Sequence, residues 1–386
     1  MRKYFEFQNA AKINCGESAL QTIGKELTYL KAEKPLLLAS SNAAKLGVLE
    51  KVTDALKKGG VKEVVLANVV PEAVDLDYVR AQKDAYLSAE CDCIVAVGGD
   101  EAMDSAKVLK LLLTKGWDEI LPIASEDGVK GKDVPLIAIP SENGSGKEAN
   151  GFVEVGEYYF SSSDLIPNVV IIDEDVTMAA PTREVAACGI YALANATEGY
   201  LESEETDITS IYAEKAIRLL VANLVSAVKN GDDAEACRAT ALAATLSGVA
   251  YGSAPYGAAH ALASGLSETT GLPLEEMFAL SLVPALRRAK ERCENRVKNL
   301  YFLLVGADEF AETPDSERAD RAIGAVETLL TSLGEASGIP MKISQTGVDR
   351  ELFGKIAESA TDPRASITEK GPIGKEEFIE MLNQAY

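Results

Sequence analysis

Histidine is almost absent: the 386 residues contain one, His260. A site built from several imidazoles, a common way to hold a transition metal, is excluded. Tryptophan is as scarce, with Trp117 alone, and it reads as a packing residue just beyond a helix. The six cysteines, Cys15, Cys91, Cys93, Cys188, Cys237 and Cys293, form no C-x-x-C pair. They read as ordinary buried or half-buried thiols of a reducing compartment. Positive charge is short, with 38 Lys and Arg against 60 Asp and Glu and a formal net charge of −22. Nucleic acid and anionic membrane both need clustered cations, so neither is an expected partner. Long apolar runs are missing too. The opening MRKYFEFQNA has no apolar core of the signal-peptide kind. The longest uncharged stretch, residues 239–267, is rich in Ala, Gly, Ser and Thr, and reads as tightly packed buried helix rather than a membrane span. The expected location is the cytoplasm.

What is present is a chain long enough for about two domains. Its 47% hydrophobic and 25% charged residues can form a large core without staples. Residues 35–40, 61–69, 93–97, 136–139 and 169–172 read as buried strands. Residues 43–59, 76–90 and 102–115 read as the helices between them, and 152–160 as a hairpin about Gly156. Strand and helix in alternation predict a parallel sheet with helices on both faces, and ligands at the carboxyl ends of the strands. From Pro181 onward the apolar period is helical, over 182–203, 208–229, 233–250, 274–290, 292–305, 317–337 and 374–384. The expected division is an α/β domain over 1–178 and an all-α domain over 179–386, with the cleft between them as the ligand site. The acidic run 202–207 reads as the end of one helix and the cap of the next. No G-x-S-x-G, P-loop or Cys–His nucleophile pattern occurs.

Five segments resemble one family, the iron-containing (group III) alcohol dehydrogenases, within the dehydroquinate-synthase-like fold group. FEFQNAAKINCGESALQTIGKEL is similar to that family's first strand-and-helix unit. VAVGGDEAMDSAK (95–107) resembles its GGGSxxDxAK loop, and IPSENGSGKEA (139–149) its IPTTxGTGSE segment. IIDEDVTMAAPTREVAACGIYALANATEGYL (171–201) resembles DPxLTxxLPxxxxAxxGMDALxHAxEAY, and GAAHALASGLSETTGLPLE (257–275) resembles GxxHxMAHxLGxxYxxPHG. The resemblance implies a Rossmann-like parallel-sheet domain followed by an all-α domain. It also implies an NAD(P)-dependent oxidoreductase of a small alcohol and its aldehyde or ketone, associating as a homodimer.

The departures fall at the chemistry. The resemblance implies a metal site of one Asp and three His at Tyr191, Asn195, His260 and Leu274, where only His260 keeps a ligand. The second His of the HxMAH segment falls on Ser264. The expectation is a degenerate member with most metal ligands lost and no catalytic metal. The implied dinucleotide contacts are Ser40, Gly98, Gly99, Ser141 and Ser145. In that loop the third glycine falls on Asp100 and the next serine on Glu101, so two carboxylates stand where a pyrophosphate would sit. Asp100 reads as the N-cap of the helix 102–115. Ser40 stands where NAD-preferring members carry an Asp, which leaves NADP as open as NAD. Lys147 either offsets a phosphate or pairs at the surface with Glu142 or Glu148.

Tyr191 and Asn195 share one helix face, and His260 and Ser264 another. With Glu198 they make either a cluster able to protonate an alkoxide without metal or a satisfied polar filling of the vacated site. Tyr191 and His260 are the candidate catalytic residues. Two readings of function stay open: a metal-independent NAD(P)-dependent oxidoreductase, and a non-catalytic relative serving as a binding, scaffold or regulatory subunit.

Overall fold

The computed structural model describes residues 7–71, 74–116, 133–141, 143–156, 158–202, 208–252, 257–361 and 373–386. Trp117, Glu142 and most of the acidic run, 203–207, lie outside the described residues. The chain divides into two compact units, Gln8–Pro181 and Thr182–Tyr386. Phe7 belongs with the second, where its ring stacks on Tyr212 at 5.6 Å.

The first unit runs β1 (Lys12–Cys15), α1 (Ile23–Leu30), β2 (Pro35–Ala39), α2 (Ser41–Lys45), α3 (Val48–Lys58), β3 (Val65–Leu66), α4 (Leu76–Ser88), β4 (Cys93–Gly98), α5 (Asp100–Lys115), β5 (Leu136–Pro140), β6 (Phe152–Val155), β7 (Tyr158–Ser161), β8 (Val169–Ile172) and α6 (Glu174–Thr177). Among the described residues β1, β8, β5, β4, β2 and β3 form, in that order, one parallel sheet. The expected hairpin about Gly156 is present as β6 and β7. Side chains alternate between two buried faces. Leu36, Leu38, Ile94, Ala96, Leu136 and Ala138 meet α4 and α5. Leu37, Ala39, Val95, Val97, Ile137 and Ile139 meet α1 and α3. Burial on both faces is why these strands are continuous apolar runs in the sequence. From β2 the chain goes outward to β3, then returns to β4 on the opposite side of β2. That reversal opens a crevice at the carboxyl ends of β2 and β4.

Three expectations are corrected. The helix over 43–59 is two helices, parted where Gly47 turns left-handed at φ 73°. The strand over 61–69 shrinks to Val65–Leu66, since at this sheet edge Leu66 is 56% and Val69 50% exposed and no layer covers them. The helix expected from 102 starts at Asp100 with Gly99 as its N-cap.

α5 is buried for most of its length and carries Lys107 fully inside the core. The Lys107 ammonium donates to the Phe152 carbonyl at 2.7 Å and lies 3.8 Å from Asp104. Burial pushes its pKa down to about 8, against the pull of Asp104.

The second unit is helical: α7 (Thr182–Glu202), α8 (Ile208–Lys229), α9 (Ala234–Tyr251), α10 (Ala258–Thr270), α11 (Leu274–Val305), α12 (Ala307–Glu312), α13 (Arg318–Ser337), α14 (Phe353–Ala360) and α15 (Lys375–Ala385). α7 is buried at every position from 189 to 201. It packs on α8 and α9 through small residues, and a Cβ on Gly189 would meet Leu224 at 2.2 Å. The two helices expected over 274–305 are present within α11, meeting at a kink where Cys293 leaves helical geometry at φ −144°, ψ 51°. The periodicity did not single out α12 or α14, which are short. No helix among the described residues is long and apolar enough to cross a membrane.

Two outcomes follow from these contacts. A Cβ on Gly24 of α1 would lie 2.4 Å from the Gly59 carbonyl after α3, so Gly24→Ala is expected to cost about 1–3 kcal/mol. An unchanged urea midpoint would contradict that close approach. Lys107 has a folded pKa of about 8 against an ordinary 10.5. While protonated it therefore penalises folding, and the penalty lifts as pH rises from about 8 towards 10.5. Wild type should gain on Lys107→Met across that window by about 1 kcal/mol per pH unit. Denaturation curves of both proteins at several pH values would check it.

Candidate cofactor loop and catalytic cluster

β4 ends in Gly98 at φ 148°, and a Cβ there would sit 2.5 Å from the Ser40 Cβ. Only glycine lets the carboxyl ends of β2 and β4 close to this distance. Ser40 is fully buried, and its Oγ accepts from the Ala43 N–H at 3.0 Å, capping α2. Gly99 precedes α5 without a side-chain cap. Asp100 is therefore not the N-cap, because it already has its place inside the first turn. Gly99 brings no side chain to the N–H groups of that turn, and a helix start of this kind suits an anion.

The Asp100 carboxylate turns sideways instead. It accepts from Ser145 Oγ and lies 3.4 Å from Lys147 Nζ. The same ammonium donates to Asp104 Oδ2 at 2.7 Å. Lys147 is thus buried between two carboxylates of α5, and the expected surface pairing is corrected. It belongs to a loop that bends inward through Gly144 at φ 75° and Gly146 at φ 94°, while Glu148 accepts from the Gly146 N–H at 3.0 Å. Burial raises the Asp104 pKa, and the nearby Lys147 and Lys107 ammonium groups oppose that rise.

Ser141 and Asn143, in the segment between β5 and Gly144, are 0% and 1% exposed. Among the described residues Ser141 Oγ and both polar atoms of the Asn143 amide have no hydrogen-bond partner. Buried polar groups left in this state cost about 1–3 kcal/mol each unless something else satisfies them. Ser40, Gly98, Gly99, Ser141 and Ser145 all border the switch-point loops. Asn143, Asp104 and Lys147 join them, and the sequence alone did not mark Asn143. These residues fit a dinucleotide. The glycine cradle, the helix start at Gly99 and the unpartnered Ser and Asn groups suit it, and Asp100, one of the two carboxylates that stood against it, is already paired.

In the helical unit, Glu198 of α7 caps α10. Its Oε1 accepts from the Ala259 N–H at 2.6 Å, and its Oε2 meets His260 Nδ1. Gly257 makes room, since a Cβ there would fall 2.3 Å from the Glu198 carboxyl. Beside a carboxylate Nδ1 is the protonated nitrogen, which sets the tautomer. The imidazole is 3% exposed. Tyr251 stacks on it at 4.2 Å and 14°, Phe278 meets it edge-on at 4.6 Å, and Tyr191 lies 5.8 Å away, ring to ring. Asn195 is buried one turn along α7 from Tyr191. Ser264 is half-buried and takes no part in this set of contacts.

Tyr191, Glu198 and His260 were legible beforehand, whereas Tyr251 and Phe278 were not. Phe278 lies one helical turn after Leu274, which was a usable signal. Tyr251 comes from α9 and left none. The donors here do not fit a catalytic divalent metal. One imidazole and one carboxylate are bonded to each other, and a phenol, an amide and an alkyl chain occupy the remaining implied ligand positions.

Comparison with known proteins agrees with this architecture. Residues 10–174 match the family described as iron-containing alcohol dehydrogenase, and residues 185–386 match the C-terminal part of the Fe-containing alcohol dehydrogenase family. Choline dehydrogenase of Bacillus subtilis (strain 168) is 32% identical over 275 residues, covering 69% of this chain and 68% of that protein. The NAD-dependent methanol dehydrogenase of Bacillus methanolicus is 25% identical over 361 residues, covering 89% of this chain and 90% of that one. The solved structure of alcohol dehydrogenase from Oenococcus oeni superposes with a TM-score of 0.89 at 26% identity, covering 99% of this chain and 100% of its own. With both of its units matched in order, the chain belongs to the iron-containing alcohol dehydrogenase family.

Proposed function

We propose that this chain is an NAD(P)-dependent oxidoreductase that interconverts a small alcohol and its aldehyde or ketone, using His260 for proton transfer and no catalytic metal. What carries the cofactor assignment is the loop after β5, where Ser141 Oγ and the Asn143 amide are buried without partners beside the uncapped end of α5. A bound nicotinamide would supply or accept the hydride. Gly98 and Gly99 let the nucleotide backbone approach, and Ser141, Asn143 and Ser145 offer it polar contacts. Ser40, already engaged in capping α2, brings neither a carboxylate against a 2′-phosphate nor a cation towards it, so both nucleotides belong in the test. The substrate class follows family membership and relatives named for choline and methanol.

His260 does the acid–base work. Its Nε2 gives a proton to the carbonyl oxygen during reduction and takes it from the hydroxyl during oxidation. Glu198 fixes the ring through Nδ1, and Tyr251 holds the ring plane by stacking. Tyr191 lies beside the ring as the second proton donor. A homodimer in the cytoplasm completes the proposal and rests on the family resemblance.

Calorimetric titration of the metal-free protein with NADH and NADPH tests the first half. Micromolar binding of at least one is expected, and no binding at millimolar nucleotide would overturn the reading in favour of a non-catalytic role. With binding in hand, aldehyde reduction should persist in chelator. Loss of activity in chelator, with recovery on adding iron or zinc, would refute the metal-free part. His260→Asn should lower kcat by about 10²- to 10⁴-fold and leave nucleotide affinity unchanged. Glu198→Gln should lower kcat and shift the pH profile, with Glu198→Asp recovering part of both.

A further inference from the structure

Asp100 and Lys147 are far apart in sequence, yet Lys147 Nζ lies 3.4 Å from the Asp100 carboxylate, which also accepts from Ser145 Oγ. We propose that Lys147 is what admits an anionic pyrophosphate there, by cancelling Asp100, and that the two act as a linked pair. The proposal rests on the cofactor reading above.

The first turn of α5 carries Asp100 and Glu101 and has no side-chain cap. A bare Asp100 carboxylate at that point would oppose the field by which a helix end attracts an anion. Its charge is not bare. Lys147 Nζ lies 3.4 Å from Asp100 and 2.7 Å from Asp104, bridging two carboxylates one turn apart on one face of α5. Asp104 has a cation of its own in Lys107, 3.8 Å away, and also accepts from the Glu154 N–H at 3.1 Å. Lys147 therefore has charge left for Asp100. Within the set Asp100, Asp104, Lys107 and Lys147 two acids and two bases cancel, so Asp100 does not meet a phosphate as a bare charge; Glu154, 4.0 Å from Lys147, and Glu101 of the same first turn stand outside that set. Removing Lys147 alone exposes Asp100 to the incoming anion. Removing the charge of Asp100 alone turns Lys147 towards it. The two single changes must act in opposite directions, and together they must nearly cancel.

The test is calorimetric titration of the full chain with NADH and NADPH at low salt, for wild type, Lys147→Ser, Asp100→Gly and the double variant. Circular dichroism and thermal melts report folding. Lys147→Ser should weaken binding about tenfold or more, Asp100→Gly should tighten it several-fold, and the double variant should return to within about threefold of wild type. If Lys147→Ser does not fold, because Asp104 loses its nearest cation, Asp100→Gly, which keeps that contact, still decides. Asp100→Gly binding no tighter than wild type would overturn the proposal. So would a folded double variant that binds far more weakly than wild type. A folded wild type that binds neither nucleotide removes the cofactor reading and this proposal with it. A wild type that binds, with the variants in the wrong order, removes this proposal alone.

Discussion

A buried ammonium–carboxylate contact, Lys147 against Asp104 at 2.7 Å, ties the loop after β5 to the helix after β4. Such a pair adds little net stability, because the loss of hydration offsets most of the attraction. Its effect is positional. Removing one partner leaves a buried charge and costs about 3–5 kcal/mol, so the loop is held in one place against the helix. The burial of Ser141 and Asn143, the reach of Ser145 to Asp100 and the inward bend at Gly144 and Gly146 all depend on that placement. The polar groups of the loop are preorganised by charge pairing rather than by apolar packing.

The helical unit solves a different problem. Where the resemblance implies four metal ligands, this chain has a single imidazole enclosed by three aromatic rings and bonded to one carboxylate. Losing ligands has not left an empty polar hole. Phe278 and Tyr251 supply apolar surface, and Glu198 satisfies both the imidazole and the start of α10. A low-polarity wall raises the strength of the Glu198–His260 contact, since less water competes for either group. The proposed acid–base role of His260 rests on this enclosure of a single imidazole by aromatic rings and one carboxylate.

How much of this was legible beforehand depended on the range of the interaction. Strands β2, β4, β5 and β8 were plain in the sequence because burial on both faces writes an unbroken apolar run. β3 was overestimated because residues 64–67 form an apolar run like the others but sit at an uncovered edge, with Lys62, Glu63 and Asn68 on either side. Asp100 was misassigned by local reasoning: acid before a helix ordinarily means a cap, and here a serine and a lysine from a distant loop compete for it. The burial of Lys147 had no local signal, since it follows from which two loops the sheet order brings together. The Glu198–His260 pair was half legible. Both residues stood in recognisable segments, but their bond depends on the missing side chain of Gly257, which only the packing of α7 against the start of α10 explains.

The solitude of His260 has one more consequence. Tyr251 lies almost parallel to its ring at 4.2 Å, close enough for the aromatic current of one ring to displace the resonances of the other. A proton NMR spectrum of this 386-residue chain can hold only one imidazole C2–H signal. That signal needs no assignment by mutagenesis, and the stack on Tyr251 moves it away from its free-solution position. The chain therefore carries its own spectroscopic probe at the atom where its chemistry is proposed to occur.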